Sequence, residues 1–205
     1  MEITPGRFDA AEIPNNAFYM PDAKAAAEAA AYIRQCMEEQ DSVGGVIECV
    51  VTGMPAGVGE PCFDKLDANL AKAVLSIGAV KGFEMGDGFQ AARARGTENN
   101  DAFVNHGNGV EKETNHAGGV LGGISDGSPI IFRAAVKPTP SVAATQHTVN
   151  KKGENIEISI HGRHDPVVVP RAVVVVEAMT ALTLVDALLE GMSAKIDHVR
   201  KVWGR

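Results

Sequence analysis

Residues 63–86 read FDKLDANLAKAVLSIGAVKGFEMG and join two kinds of secondary structure with almost no connection between them. Apolar residues recur at helical spacing among lysines and aspartates, which predicts a helix over 63–79 with one face toward a core. These apolar residues are Leu66, Leu70, Val74 and Ile77. The VKGFEMG that follows predicts a short strand. A helix running directly into a strand indicates a fold that mixes both elements.

The sequence on the amino-terminal side repeats this mixture. The alanine- and glutamate-rich stretch 23–40 predicts a helix, and Asp22 stands where an N-cap belongs. Residues 44–53 read GGVIECVVTG, and the β-branched run between glycines predicts a strand.

The carboxy-terminal side adds more strands and closes on helices. We predict a strand over 128–138, a hairpin over 148–162 that turns at Lys152 and Gly153, and a long helix after Pro170, with a short helix around SAKIDHVR. This order of elements predicts an α+β fold with antiparallel sheet. With no repeat or linker in the sequence, we expect one domain over residues 1–205.

Composition and charge exclude several classes of protein. The formal charge is −7 and there is no run of lysines or arginines, so nucleic acid is not an expected partner. The polar amino terminus does not resemble a signal peptide, which leaves the cytoplasm as the expected location. Charged residues and a proline interrupt the apolar stretch 167–189, which favours a core helix over a membrane span. The three cysteines and six histidines show no metal-binding spacing, so no metal site is expected.

Two loop segments could contact a ligand. KPTPS, residues 137–141, combines a lysine, two prolines and two hydroxyls, which suits a clamp for a phosphate or a ring carbonyl but is also common loop material. NHAGGVLGGIS, residues 115–125, contains two glycine pairs that let a backbone approach a ligand closely. A tight turn between layers explains the same glycines.

Three titratable residues, Arg163, His164 and Asp165, precede the long apolar helix. The aspartate could act as a base or hold a hydrogen-bond donor, and the arginine offers a fork of N–H groups to an anion. Asp165 before Pro166 could equally cap the helix. Capping alone needs one such residue and does not explain all three.

Taken in order, four segments closely resemble the chorismate synthase family, and the similarity extends from Gly6 to Val202. The segments are AVKGFEMGDGF (79–89), NHAGGVLGGIS (115–125), KPTPS (137–141) and GRHDPVVVPRAVVVVEAM (162–179). The last one resembles the carboxy-terminal signature of the family. The resemblance implies a β-α-β sandwich of antiparallel sheets and helices, of which this chain would form part.

The resemblance also implies a reaction, a cofactor and site residues. The family converts 5-enolpyruvylshikimate 3-phosphate to chorismate by 1,4-elimination of phosphate, the last step of the shikimate pathway to the aromatic amino acids, and requires reduced FMN. Asp165 matches the catalytic aspartate of the family. By the same resemblance, the flavin-binding positions would be Gly78, Ala79, Gly122, Lys137, Pro138, Thr139, Pro140, Ser141 and Arg163.

One departure from the family pattern limits the expected activity. The amino-terminal Gly-Glu-Ser-His-Gly type motif, the arginine-rich phosphate site and the second catalytic histidine of the family have no counterpart here. We therefore expect a carboxy-terminal portion of a carbon-oxygen lyase that does not turn over substrate alone. The alternative is a non-catalytic flavin-binding or oligomerisation module. The family assembles as a homotetramer, which implies a homo-oligomer here.

Overall fold

The computed structural model describes residues 3, 5–105, 107, 109–162 and 165–204, and within them it has four α-helices and nine strands. The α-helices are α1 (Ala23–Glu38), α2 (Leu66–Leu75), α3 (Val169–Gly191) and α4 (Ile196–Trp203). The strands are β1 (Gly45–Val51), β2 (Val80–Met85), β3 (Phe103–Asn105), β4 (Val110–Lys112), β5 (Val120–Leu121), β6 (Ile124–Ser125), β7 (Ile130–Val136), β8 (Gln146–Val149) and β9 (Asn155–Ile158). Short 3-10 helices form at Pro5–Arg7, Ala10–Asn15 and Gly88–Ala92.

The chain divides into two compact units, each built from two separate stretches. The first unit is Met1–Val46 with Val136–Val174, and the second is Ile47–Ala135 with Val175–Arg205. The chain therefore passes from one unit to the other three times. The expectation of one domain over 1–205 stays a prediction.

In the first unit, α1 begins as its sequence predicts. The carboxylate of Asp22 is buried and accepts hydrogen bonds from the backbone N–H groups of Lys24 (2.9 Å) and Ala25 (3.0 Å). These bonds satisfy amides at the helix start that have no partner within the helix. The second carboxylate oxygen lies 2.7 Å from Nε of Arg7. The predicted helix and its cap are confirmed.

The predicted hairpin is also in the first unit. Strands β8 and β9 pair antiparallel, with Gln146 opposite Ile158 and Val149 opposite Asn155. The backbone N–H of Asn150 donates to the carbonyl of Glu154 across the turn (3.0 Å). The turn therefore contains the predicted positions, although β8 begins two residues before the predicted hairpin.

The second unit contains most of a three-stranded sheet, in the order β1, β7, β2, together with α2. Phe83 and Phe132 stack with ring centroids 5.0 Å apart. Leu66, Leu70 and Val74 of α2 are almost completely buried. They occupy one face at the spacing that the sequence predicts.

Helix α2 is shorter than the predicted 63–79, and the backbone explains the difference. Phe63 and Ala79 have φ values of 56° and 71°, outside the right-handed helical region. The helix consequently starts after the first and ends before the second. Strands β1, β2 and β7 fall inside their predicted ranges.

The glycine-rich stretch 96–128, for which the sequence predicts no strand, contains four short strands in the second unit. Strands β3 and β4 form one antiparallel pair and β5 and β6 another. Each strand has two or three residues, too few for an alternating apolar pattern to reveal it. The sequence therefore does not predict these four strands.

Helix α3 begins at Val169, with Pro170 in its first turn where a missing N–H does no harm. By length and composition it is the one helix of the described residues that could cross a membrane, and 22% of its most apolar window is buried. Val176 and Thr180 are buried, and the Thr180 hydroxyl lies 3.8 Å from Sγ of Cys49 in β1. The predicted long helix is confirmed.

Candidate functional site

Gly78 and Ala79 form the turn between α2 and β2, in the second unit. The N–H of Val80 donates to the carbonyl of Ile77 (3.2 Å) and closes the turn. With a φ of 71°, Ala79 is in the left-handed region, which costs a residue with a side chain roughly 1–2 kcal/mol. Gly78 is exposed, and a Cβ added to it would meet no atom within 4 Å. The backbone of this turn is therefore open to a ligand.

The glycine pairs of 115–125 have two different roles. A Cβ on Gly118 would lie 2.5 Å from the N atom of Gly86, and one on Gly123 would clash with the carbonyl of Glu60, so close packing requires both glycines. Gly122 has a φ of 60°, as the two-residue hairpin turn between β5 and β6 requires, but its Cβ position is open. Packing explains Gly118 and Gly123, whereas the Gly122 backbone remains accessible.

Gly122 lies far from Gly78 and Ala79 within the unit. The N–H of Leu66, the first residue of α2, donates to the carbonyl of Gly123 (2.9 Å), so the hairpin turn sits at the start of this helix. Gly78 and Ala79 follow its other end. Ten helical residues span about 15 Å. The structure therefore does not bring these two groups of predicted flavin positions into contact.

The segment Lys137–Ser141 belongs to the first unit. Lys137, Pro138 and Pro140 are exposed, whereas Thr139 and Ser141 are half-buried. The carbonyl of Thr139 accepts a hydrogen bond from the Ser42 hydroxyl (2.6 Å), which fixes the middle of the loop. Among the residues that the structure describes, the Lys137 side chain has no hydrogen-bond or ion-pair partner. Its ammonium group is available to an anion.

Asp165 is also in the first unit and pairs with the first turn of α3. Its carboxylate accepts a hydrogen bond of 2.6 Å from Nη1 of Arg171, and its side chain is 40% exposed. The carbonyl of Val168 accepts from the backbone N–H of Arg171 (3.1 Å), so the chain enters the helix at Val168. Asp165 lies too early to cap α3, and the capping alternative is wrong. Arg163 and His164 lie outside the described residues.

Residues 42–43 contact both the lysine loop and the chain that follows Asp165. While Ser42 binds the Thr139 carbonyl, the N–H of Val43 donates to the carbonyl of Pro166 (2.8 Å). Val43 and Val167 form an isolated parallel bridge. Within the first unit, residues 42–43 therefore connect the two predicted parts of the site.

The second unit contains a buried ionic cluster that sequence analysis did not predict. The Lys112 side chain is 3% exposed, forms a hydrogen-bonded ion pair with Asp126, and lies 3.6 Å from Asp101. Phe103, paired opposite Lys112 in the β3–β4 hairpin, places its ring 5.9 Å from the ammonium nitrogen. A single lysine in a polar segment gives no periodic signal, so sequence analysis could not find this cluster.

Both carboxylates of the cluster have shifted pKa values. Burial raises the pKa of Asp101, but backbone donors from Ala117 and His116, the Thr114 hydroxyl and the Lys112 charge outweigh it and hold the pKa below its usual value. The pKa of Asp126 is lowered in the same way: burial raises it, but hydrogen bonds from Lys112 and Ser128 outweigh that effect. Hydrogen bonds to a carboxylate favour its charged form. Asp101 thereby fixes residues 114–117, which lead into the glycine pairs.

His116 extends this network toward the surface. Its Nδ1 lies 2.7 Å from a carboxylate oxygen of Asp87, and Nδ2 of Asn99 donates to the same oxygen (3.2 Å). The Asp87 N–H in turn donates to the His116 carbonyl (2.9 Å). These contacts fix the orientation of the imidazole ring. Sequence analysis did not select this pair, since its members are 29 residues apart.

Helices with paired antiparallel strands define an α+β protein. Accessible glycine turns in the second unit and, in the first unit, a lysine whose side chain has no partner among the described residues are each typical of contacts to an anionic ligand. A family profile described as chorismate synthase matches residues 3–189. The chain belongs to the chorismate synthase family, as its motifs predicted.

Known relatives agree with this assignment. The chain is 66% identical over 192 residues to a chorismate synthase of Agathobacter rectalis, covering 94% of this chain and 52% of the relative. It is 48% identical over 190 residues to one of Chloroflexus aurantiacus, covering 92% and 52%. A crystal structure of chorismate synthase matches with a TM-score of 0.73 and 34% identity, covering 89% of this chain and 48% of that one. The chain thus spans about half the length of these relatives.

Proposed function

We propose that this chain is part of a chorismate synthase, a carbon-oxygen lyase that removes phosphate from 5-enolpyruvylshikimate 3-phosphate and requires reduced FMN. The observation that carries the proposal is the family match over residues 3–189, which includes every candidate site position from Gly78 to Asp165. The high identity to the Agathobacter rectalis protein over the same region supports it.

The described residues fit a flavin phosphate. Lys137 is exposed and without an ionic partner in the described part of the chain, so it can pair with a phosphate. Pro138 and Pro140 restrict the backbone around Thr139, whose carbonyl is already bound by Ser42. Gly78 and Gly122 leave backbone groups accessible. Because Gly78 and Gly122 are at opposite ends of α2, one ligand contacting both must be extended, as a ring with a phosphorylated side chain is.

When bound, reduced FMN would supply electron density to the substrate ring as phosphate departs. The role we propose for Asp165 is to hold or accept a proton next to that ring. Arg171 orients one carboxylate oxygen through its 2.6 Å hydrogen bond, and partial exposure leaves the side chain accessible. Arg163 remains a proposed flavin contact.

This chain alone is proposed to lack turnover, because it spans about half of its relatives. Elimination without the proton donors and phosphate-binding arginines expected from the family would lose several orders of magnitude in rate. We also propose that the protein is cytoplasmic and that it assembles as a homotetramer, as the family does. The alternative, a non-catalytic flavin-binding or oligomerisation module, predicts flavin binding or self-association with no turnover in any context.

The activity test uses purified chain, substrate and chemically reduced FMN, with chorismate followed by absorbance. We expect no product from the chain alone, and product when the chain is co-produced with the unmatched half of the Agathobacter rectalis protein. Asp165→Asn should then lower the rate by about 100-fold or more. Asp197→Asn is the matched control, because it also removes one exposed Asp–Arg pair. Robust turnover by the chain alone, or full activity of Asp165→Asn, would contradict the proposal.

A further inference from the structure

Helix α4, in the second unit, has one apolar face. The helical repeat places Ile196, Val199, Val202 and Trp203 on one side of the helix and the charged residues on the other. Ile196 is 63% exposed, Val202 68% and Trp203 81%, and no residue of the helix is buried. The apolar face is therefore open to a partner.

The residues around this face are mostly basic. From Lys195 to Arg205 the sequence has four basic residues and one acidic residue, Asp197, whereas the whole chain has a formal charge of −7. Nη1 of Arg200 lies 3.5 Å from a carboxylate oxygen of Asp197, and both side chains are exposed. An exposed pair of this kind contributes little to stability. The cations therefore remain available to an external anion.

The position of α4 in the chain also indicates an external partner. The helix follows the part of the chain that the family profile matches, which ends at residue 189. An open groove of about 550 Å³ lies against it, lined in part by Met192, Val199 and Val202. A helix of eight residues is marginally stable in water. A surface that covers its apolar face would stabilise it.

An anionic lipid surface fits both sides of this helix. An amphipathic helix with cations on its polar side and tryptophan on its apolar side lies in the membrane interface. A nucleic acid would bind the cations but leave the apolar face in water, and a second copy of α4 would bring like charges. Eight helical residues extend about 12 Å, less than half of the roughly 30 Å hydrocarbon core, so α4 can lie on a membrane but cannot span it.

We propose that α4 docks on the surface of an anionic phospholipid membrane. Its apolar face enters the boundary between headgroups and acyl chains, while Lys195, Arg200 and Lys201 pair with lipid phosphates. The inference does not depend on the proposed reaction, because α4 contains none of the candidate site positions. Lipid binding and turnover can therefore each fail without the other.

Trp203 gives a direct measurement, because it is the single tryptophan in the sequence. The chain is titrated with vesicles of phosphatidylcholine mixed with phosphatidylglycerol, and separately with vesicles of phosphatidylcholine alone. We expect the tryptophan emission to shift to shorter wavelength with the mixed vesicles, since the indole ring leaves water. Binding to the neutral vesicles should be at least about tenfold weaker, and salt should weaken binding to the mixed ones.

A double variant tests the contribution of the cations. Arg200→Gln combined with Lys201→Gln removes two positive charges and should weaken co-sedimentation with the mixed vesicles by about tenfold or more. Lys72→Gln combined with Lys81→Gln is the matched control. It removes the same charge from exposed lysines elsewhere in the second unit and should leave binding nearly unchanged.

A second pair of variants locates the docked face. Val202→Asp should weaken vesicle binding by about tenfold or more, because it places a negative charge in the apolar face. Leu182→Asp adds the same charge to α3, where Leu182 is 66% exposed, and should leave binding nearly unchanged. Circular dichroism checks that each variant folds. The shift of Trp203 should persist when the chain is co-produced with the unmatched half of the Agathobacter rectalis protein.

Four results would overturn the inference. The first is no emission shift, or an equal shift with neutral vesicles. The second is binding that Leu182→Asp abolishes and Val202→Asp does not, which would place the contact on α3. The third is a shift that appears without vesicles as the protein concentration rises, which would make a second copy the occupant. The fourth is loss of vesicle binding in the co-produced complex, which would show that protein covers α4.

Discussion

Removal of the Lys112 ammonium group should strongly destabilise the second unit. Its side chain is 3% exposed and its ammonium group compensates Asp101 and Asp126, which are 5% and 9% exposed. Lys112→Met leaves two buried carboxylates without their cation, so the free energy of unfolding should fall by about 3–5 kcal/mol. Urea unfolding followed by circular dichroism measures it. Lys72→Met, an exposed lysine on α2, is the control, and a loss for Lys112→Met no larger than for that control would contradict the assignment.

The same cluster predicts a pH dependence whose sign follows from the lowered pKa of Asp101. Donors from Ala117, Thr114 and His116 favour its charged form and outweigh the effect of burial. Its contribution to stability is complete above the ordinary pKa of 3.8 and is lost as pH falls through the lower value of the folded state.

Asp101→Asn should therefore be less stable than the natural sequence near neutral pH, and the difference should shrink as pH falls below about 4. Unfolding free energies at a series of pH values between neutrality and acid test this, with the exposed Asp64→Asn as control. A difference that grows toward acid pH would reverse the sign and refute the explanation.

Among the elements, α1 and the 3-10 helix Ala10–Asn15 offer a direct comparison of two capping aspartates in the first unit. Asp22 is 5% exposed, accepts from two backbone amides and pairs with Arg7, whereas Asp9 is exposed and accepts from one backbone amide, that of Ala11. Asp22→Ala should cost about 2 kcal/mol or slightly more, and Asp9→Ala about 1 kcal/mol or less. Thermal and urea unfolding of both variants measures the difference. Equal losses would show that burial and the Arg7 contact add nothing to the cap.

The elements also show what the sequence can predict. Helix α1, the β8–β9 hairpin and α3 were all predicted, because a cap, a turn or a long apolar run marks each of them locally. Strands β3 to β6 were not predicted, since two or three residues cannot display a period. The ends of α2 were misplaced for a related reason: the positive φ values of Phe63 and Ala79 carry no signal in residues that ordinarily avoid them.

The sequence likewise predicts only part of the candidate site. The motifs identified the loop Lys137–Ser141, and the structure adds that Ser42 and Val43 contact both this loop and the chain next to Asp165. That connection depends on pairing between residues about 100 positions apart, which one sequence does not contain. Helix α2, which is about 15 Å long, separates Gly122 from Gly78. This separation follows from packing and cannot be read from the order of the motifs.

At the scale of the whole molecule, the share of its relatives that the chain covers determines how the proposed activity must be tested. The chain spans about half of the Agathobacter rectalis relative. Turnover is therefore measured with the chain alone and again together with the unmatched half of that relative, and the proposal requires product only in the second case.

The alternation of the chain between its two units also limits how the protein can be divided. Each unit is built from one stretch of the first 135 residues and another of the remaining 70. A single cut of the chain therefore cannot separate one complete unit from the other. A chain ending at residue 135 would contain Met1–Val46 and Ile47–Ala135, and each would lack the second stretch of its unit. A chain ending at Val174 would keep both stretches of the first unit but would also carry Ile47–Ala135 without Val175–Arg205. Deletion mapping should therefore find no shorter chain that consists of one complete unit alone.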